Sequence, residues 1–198
     1  MPKVVDRNRY RKELLDGCLK LFSERGYGSV TMRQIAQSLG VSTGTLYHYF
    51  PSKESIFIQL VQELCERDVS SFFAQAPPEG TLQERLEVVM NFVLQNLQHY
   101  HQQLLLWVDF FQHTRSGKEP EIDFLRQIWD GFRDDLVQYL ETSDLALVDH
   151  LMIFIDGLVI QFIYNRGIHD LDWYRQQTQF TIQIFLLHHA QTTSSTPT

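Results

Sequence analysis

The sequence predicts an all-α fold of about nine helices, and three observations carry that prediction. Apolar residues recur at helical spacing over most of the chain, and no stretch sustains the period-two alternation of a half-buried strand. The periodic stretches are also punctuated by residues that start and stop helices. Thr31, Ser42, Ser52 and Thr81 stand where N-caps belong, and Gly26, Gly40 and Gly167 stand where helices end. At 198 residues, 43% hydrophobic and 21% charged, the chain can bury a sizeable core in one or two domains.

The first helix is expected over 6–25, with Tyr10, Leu14, Cys18 and Leu21 in one row and Leu15, Leu19 and Phe22 beside it. Next comes TMRQIAQSLGVSTGTLYHYFPSK, residues 31–53. Met32, Ile35, Ala36 and Leu39 fall at i, i+3, i+4 and i+7, and Thr31 with Gln34 reads as a capping box. Ser42 caps a second short helix carrying Leu46, Tyr47 and Phe50, which Pro51 ends. Two short helices joined by a tight turn containing Gly form a helix-turn-helix. Phe22, Val30, Ile35, Leu39, Leu46 and Phe50 are expected to share its small core.

Ser52 caps a fourth helix, whose apolar positions Ile56, Phe57, Leu60, Val61 and Leu64 keep helical spacing toward Gln75. At about 1.5 Å per residue it reaches roughly 35 Å, long enough to join two domains without a flexible linker. Pro77 to Gly80 break the chain, and Thr81 with Glu84 forms a second capping box. A fifth helix (Leu82, Leu86, Val89, Val93, Leu97) precedes a short aromatic-rich one over 104–113 and a loop over 116–120. Phe124, Leu125, Ile128, Trp129, Phe132, Leu136 and Tyr139 mark a seventh. The eighth spans 144–166 and the ninth 171–190, and the tail 191–198 is expected to be disordered.

Within the eighth helix, eleven of the fourteen residues over 151–164 are apolar or aromatic, so it is expected to be buried all round, either at the core centre of one chain or between its own chain and a partner. The stretch is interrupted by Asp156, Gly157 and Gln161 and is too short to span a bilayer, so no membrane partner is expected. No apolar run follows the basic N-terminus, which argues against a signal peptide and for a cytoplasmic protein. Cys18 and Cys65 read as buried thiols without metal-ligand spacing.

The second helix of a helix-turn-helix lies in the DNA major groove. Net charge is −7, which alone argues against nucleic acid, but its distribution reverses the argument. Residues 1–53 hold nine Lys/Arg against four Asp/Glu, a net +5, while 54–198 hold eight against twenty, a net −12. The basic footprint is confined to the helix-turn-helix segment, with Lys3, Arg7 and Arg9 at its start also within reach of phosphates or the minor groove.

The stretch IAQSLGVSTGTLYHYFPSKESIF resembles the DNA-binding signature of the TetR family of bacterial transcriptional regulators, over roughly residues 10–60. The resemblance implies an N-terminal three-helix DNA-binding domain over 1–53, joined by a long helix to a helical ligand-binding and dimerisation domain over 54–190. Thr31, Ser42, Tyr47, Tyr49 and Lys53 are the candidate phosphate contacts. Arg33, Thr43, Thr45 and His48 are the base-edge candidates, with Gly44 permitting close approach. For Lys53, a cation opposing its helix dipole, a phosphate contact is favoured over a stabilising role.

The family's effector pocket lies in the body. Candidate lining residues are Phe92, Trp107, Phe110, Phe111, His113, Trp129 and Phe162, with Asp109, Asp156 and Gln161 as polar anchors. Each aromatic has the alternative of simply filling the core, and Asp156 could pair with Arg166, a tyrosine or a ligand. The family's last two long helices form the dimer interface, which here would use Phe154, Leu158, Phe162, Phe180, Ile184 and Leu187.

The expected partners are therefore a double-stranded DNA operator, a second copy of the chain and a small-molecule effector of unidentified chemistry. The alternative is a constitutive or protein-regulated DNA-binding adaptor. No enzyme signature, cofactor motif or metal-ligand spacing among the eight histidines is found.

Overall fold

The computed structural model describes residues 6–113, 119–165 and 167–194, and among them it contains nine α-helices and no strand. They are α1 (Arg7–Arg25), α2 (Met32–Ser38), α3 (Thr43–Tyr49), α4 (Lys53–Gln75), α5 (Leu82–Gln95), α6 (Leu97–His113), α7 (Glu119–Leu140), α8 (Leu145–Tyr164) and α9 (Leu171–Ser194). Lys3, Arg166 and part of the 116–120 loop lie outside the described residues.

The helices divide into two compact units: Met1–Asp68 with Gln102–Arg126, and Val69–His101 with Gln127–Thr198. In the first unit the Asp6 carboxylate caps α1 by accepting the Asn8 and Arg9 N–H groups. Leu14, Leu15, Cys18, Leu21 and Phe22 form the buried row of α1. Gly17 has no room for a Cβ, which would stand 2.3 Å from Leu39 Cδ2, so α1 and the end of α2 approach closely. Both predicted caps of the helix-turn-helix form: Thr31 and Gln34 bond reciprocally, and Ser42 Oγ accepts the Thr45 N–H at 2.9 Å. Gly40 takes φ 68° at the turn. The expected small core is present, with Phe22, Val30, Ile35, Leu46 and Phe50 buried and Leu39 half-buried.

In the second unit α5 packs along α9. Leu86, Met90, Leu147, Val148, Leu151 and Ile182 are among its core residues. Arg85 is a buried cation whose guanidinium donates to the carbonyls of Pro78, Gly80 and Tyr139 and pairs with Glu141 at 2.8 Å. Those partners offset the cost of burying its charge and tie the proline-rich connection to the end of α7.

Four expectations change. Helix α6 begins at Leu97 rather than near Leu104, because the polar run after Leu97 hides a helix that Asn96 merely joins to α5. Helix α7 begins at Glu119, within the expected loop; Pro120 is tolerated in a first turn, where its missing N–H has no helical partner. Helix α9 runs to Ser194 instead of ending near Ala190.

The fourth change concerns α8. At its full length it is long and apolar enough to cross a bilayer, longer than the stretch read from the sequence. Its own chain covers one side of it. Leu147, Val148, Leu151, Met152, Leu158 and Val159 face the core, while Ile153, Ile160 and Tyr164 are exposed.

Candidate nucleic-acid interface

Helices α2 and α3 present one polar surface. Thr31, Arg33, Ser42, Thr43, Gly44, Tyr47 and His48 are exposed, whereas Thr45, Tyr49 and Lys53 are half-buried. Leu46 and Phe50 hold α3 against the core by its opposite face. The Thr45 hydroxyl lies 2.8 Å from Ser42 Oγ, so those two candidates form one hydroxyl pair at the start of α3. A Cβ added to Gly44 would meet only Ser42 Oγ, at 3.7 Å. Nothing in the chain itself requires glycine there, although Gly inside a helix costs roughly 0.5–1 kcal/mol relative to Ala.

Tyr49 turns toward α1. Its ring lies edge-on to Tyr10 at 5.5 Å and to His48 at 5.3 Å, and the Arg7 guanidinium stands 5.9 Å from its centre. This brings Arg7 to the C-terminal end of α3. Lys53 is used differently from the sequence expectation. Its ammonium donates to the carbonyls of Tyr27 and Val30 at 2.9 and 3.0 Å and lies over the Tyr27 ring. Burial lowers its pKa, and the charges of Glu54 and Asp109 oppose that shift. Two of its three N–H donors therefore hold the loop between α1 and α2, a role that the sequence expectation set below a phosphate contact.

The ten candidate effector residues are split between the units: Trp107, Asp109, Phe110, Phe111 and His113 in the first, Phe92, Trp129, Asp156, Gln161 and Phe162 in the second. Three of the first group are already engaged. Phe110 stacks on Phe57 at 3.9 Å, Asp109 accepts the Tyr27 N–H, and His113 pairs with Asp109. In the second unit Phe92 packs edge-on to Phe72, Gln161 accepts from the Asn165 side chain at 2.8 Å, and Trp129 is exposed. Asp156 is an exposed residue, but partial desolvation of its carboxyl raises its pKa to about 6. Sequence reasoning missed the engagement of Tyr27 by Asp109, because the two residues are 82 positions apart and no local pattern links them.

The six candidate dimer residues also divide. Phe180, Ile184 and Leu187 are 62%, 47% and 65% exposed, forming a continuous apolar row on α9. Leu158 is buried, and Phe154 and Phe162 are half-buried; Phe162 lies edge-on to His101 and Tyr174. These three point inward because the core-facing stripe of α8 runs through Leu151 and Leu158. The exposed row on α8 is instead Ile153, Gly157, Ile160 and Tyr164.

Burial pushes both thiols, Cys18 and Cys65, up to about 12, so neither carries the thiolate that redox sensing requires. Among the described residues no three His, Cys, Asp or Glu side chains converge as a metal site would need.

The pattern that defines the bacterial regulatory proteins of the tetR family matches residues 14–60, which contain the whole of this helix-turn-helix. Residues 14–60 carry the DNA-binding domain of the TetR family. Its similarity to that family extends beyond the head. The chain is 26% identical over 184 residues to the HTH-type transcriptional repressor KstR2 of Mycobacterium tuberculosis, covering 89% of this chain and 86% of the relative.

Two solved structures share the fold. FadR from Bacillus subtilis, in complex with stearoyl-CoA, superposes with a TM-score of 0.68 at 20% identity, over 88% of this chain and 96% of that one. A transcriptional regulator from Saccharomonospora viridis, in complex with choline, gives 0.71 at 23% identity, over 89% and 97%. The family match over the helix-turn-helix and the likeness to curated transcriptional repressors make the chain a DNA-binding transcriptional regulator of TetR type.

Proposed function

We propose that the protein is a cytoplasmic, homodimeric repressor, released from a near-palindromic operator by a small-molecule effector. Residues 1–53 form the reading head, and 54–190 form the effector-binding and dimerising body. On the head, Arg33, Thr43, Thr45 and His48 meet base edges, and Thr31, Ser42, Tyr47 and Tyr49 meet the phosphates. The observation that carries the reading is Gly44, a helix glycine that no intrachain contact demands, on the exposed polar face of α3. A backbone or base edge approaching from outside accounts for it.

Dimerisation is supported by the exposed apolar rows of α8 and α9, which a single chain leaves in water. A second copy packing by the same face buries both sets of rows at once, as two-fold symmetry requires. Gly157 strengthens this, because a Cβ there meets nothing within 4 Å and the smooth strip between Ile153 and Ile160 lets a partner helix come close. A dimer then sets two recognition helices roughly 34–36 Å apart, one duplex turn, and so selects a palindrome.

Effector control draws its support from relatives crystallised with stearoyl-CoA and with choline. An effector shifts the equilibrium only by binding one spacing of the recognition helices more tightly than the other. The test is titration of the protein–DNA complex with stearoyl-CoA and, separately, choline. Release of DNA by either probe supports the effector reading. Retention under both, with DNA binding intact, favours the constitutive or protein-regulated adaptor.

A further inference from the structure

The loop between α1 and α2 is held on both its donors and its acceptors by charged side chains from elsewhere in the first unit. Asp109, on α6, accepts the Tyr27 N–H. Lys53, at the start of α4, donates to the carbonyls of Tyr27 and Val30. The Tyr27 ring is 2% exposed and sits edge-on to Phe22, Phe57 and Phe110. Its hydroxyl donates to Glu54 at 3.3 Å. Around the loop two glycines make room for α6. Gly26, at φ 80°, brings its Cα beside the Asp109 carboxylate, and a Cβ on Gly28 would stand 2.3 Å from the His113 ring. Val30, the last residue held, is followed directly by Thr31, the cap of α2.

We infer that Asp109 is a positioning residue for DNA binding, which fixes the 26–30 loop through the Tyr27 N–H and thereby sets the pose of α2 and α3. An unpaired N–H is costly in a loop that is partly buried, and a carboxylate is a stronger acceptor than water or a neutral carbonyl. Lys53 fixes the same loop from its carbonyl side, so release at Asp109 leaves the loop anchored but free to shift. This inference rests on the DNA-binding reading of α2 and α3.

The experiment compares Asp109→Ala and Asp109→Asn in the full chain. The probe is a duplex enriched from a random pool by the unaltered protein. Asp109→Ala should lose about tenfold or more in affinity for every duplex, the size expected when a hydrogen bond to a charged acceptor is lost. Amide exchange over 26–49 should accelerate in the same variant, while the dimer mass stays unchanged. Asp109→Asn keeps an oxygen for the Tyr27 N–H and should recover most of the affinity. Unimpaired binding by Asp109→Ala, or an Asn variant as weak as the Ala one, overturns the inference. Should Asp109→Ala fail to fold, the Tyr27 amide of the unaltered protein decides: slow exchange supports the inference and rapid exchange overturns it. Failure of the DNA reading itself is distinct, since the unaltered protein would then enrich no duplex.

Discussion

Lys53 Nζ stands 2.9 Å from the Tyr27 carbonyl oxygen and 4.1 Å from the centre of the Tyr27 ring. One cation therefore binds both the backbone and the side chain of the loop that delivers the chain into the helix-turn-helix. A helix that begins with a lysine places a positive charge against the positive end of its own dipole. Here the two carbonyls and the aromatic face compensate for that placement.

Replacing Lys53 by Met should destabilise the head by roughly 1–3 kcal/mol, the range for hydrogen bonds to a charged group. DNA affinity should fall for all sequences alike, because the loop and not a base contact is disturbed. The slope of log affinity against log salt should stay at the value of the unaltered protein, since the ammonium faces the protein. A slope smaller by about one would instead mean that the lysine neutralises a phosphate.

Gly44 separates folding from function in the opposite direction. Gly44→Ala adds a methyl group in ordinary contact with Ser42 Oγ, so thermal unfolding should occur at the same or a higher temperature, with a gain of up to about 1 kcal/mol. DNA affinity should nonetheless fall by about tenfold or more, as one methyl group intrudes on a close approach. A variant that is more stable and binds equally well would remove the reason given for this glycine.

The exposed face of α8 and α9 yields a paired prediction. Phe180→Arg should convert the dimer into a folded monomer, read by sedimentation. Asp156 tests the same face through pH. Its carboxyl is pushed up to about 6 by partial desolvation, so the compact form holds the proton more tightly than the unfolded chain. The penalty is absent below the ordinary aspartate range and grows as pH rises through about 4 to 6. A partner covering the face deepens the same burial, so acidifying from about pH 7 to about pH 5 should tighten the dimer. Asp156→Asn should tighten it at neutral pH and flatten that dependence. An Asn variant with unchanged association at both pH values would place Asp156 outside the interface.

The head was legible in the sequence because its determinants are local. Thr31 with Gln34, Gly40 and Ser42 specify caps and turn within a few residues of one another, and the structure forms each of them. The body was legible only as helices. Helix α8 is apolar on nearly every side, so composition could not tell Leu158, which faces the core, from Ile160, which faces water. The roles of Lys53 and Asp109 were hidden for a different reason. Both act on Tyr27 across 26 and 82 positions of the chain, and only the folded first unit brings them to it. A cation at a helix N-terminus advertises a phosphate contact equally well, whichever acceptor it finds.

The most direct test of the central claim is selection of bound duplexes from a random pool by the purified chain, followed by measurement of how many chains bind each selected duplex. A dimeric reader should enrich two half-sites related by two-fold symmetry, centred one duplex turn or about 10 base pairs apart, with an even number of chains bound. Enrichment of a single unrepeated site bound by one chain, or no enrichment at all, would contradict it.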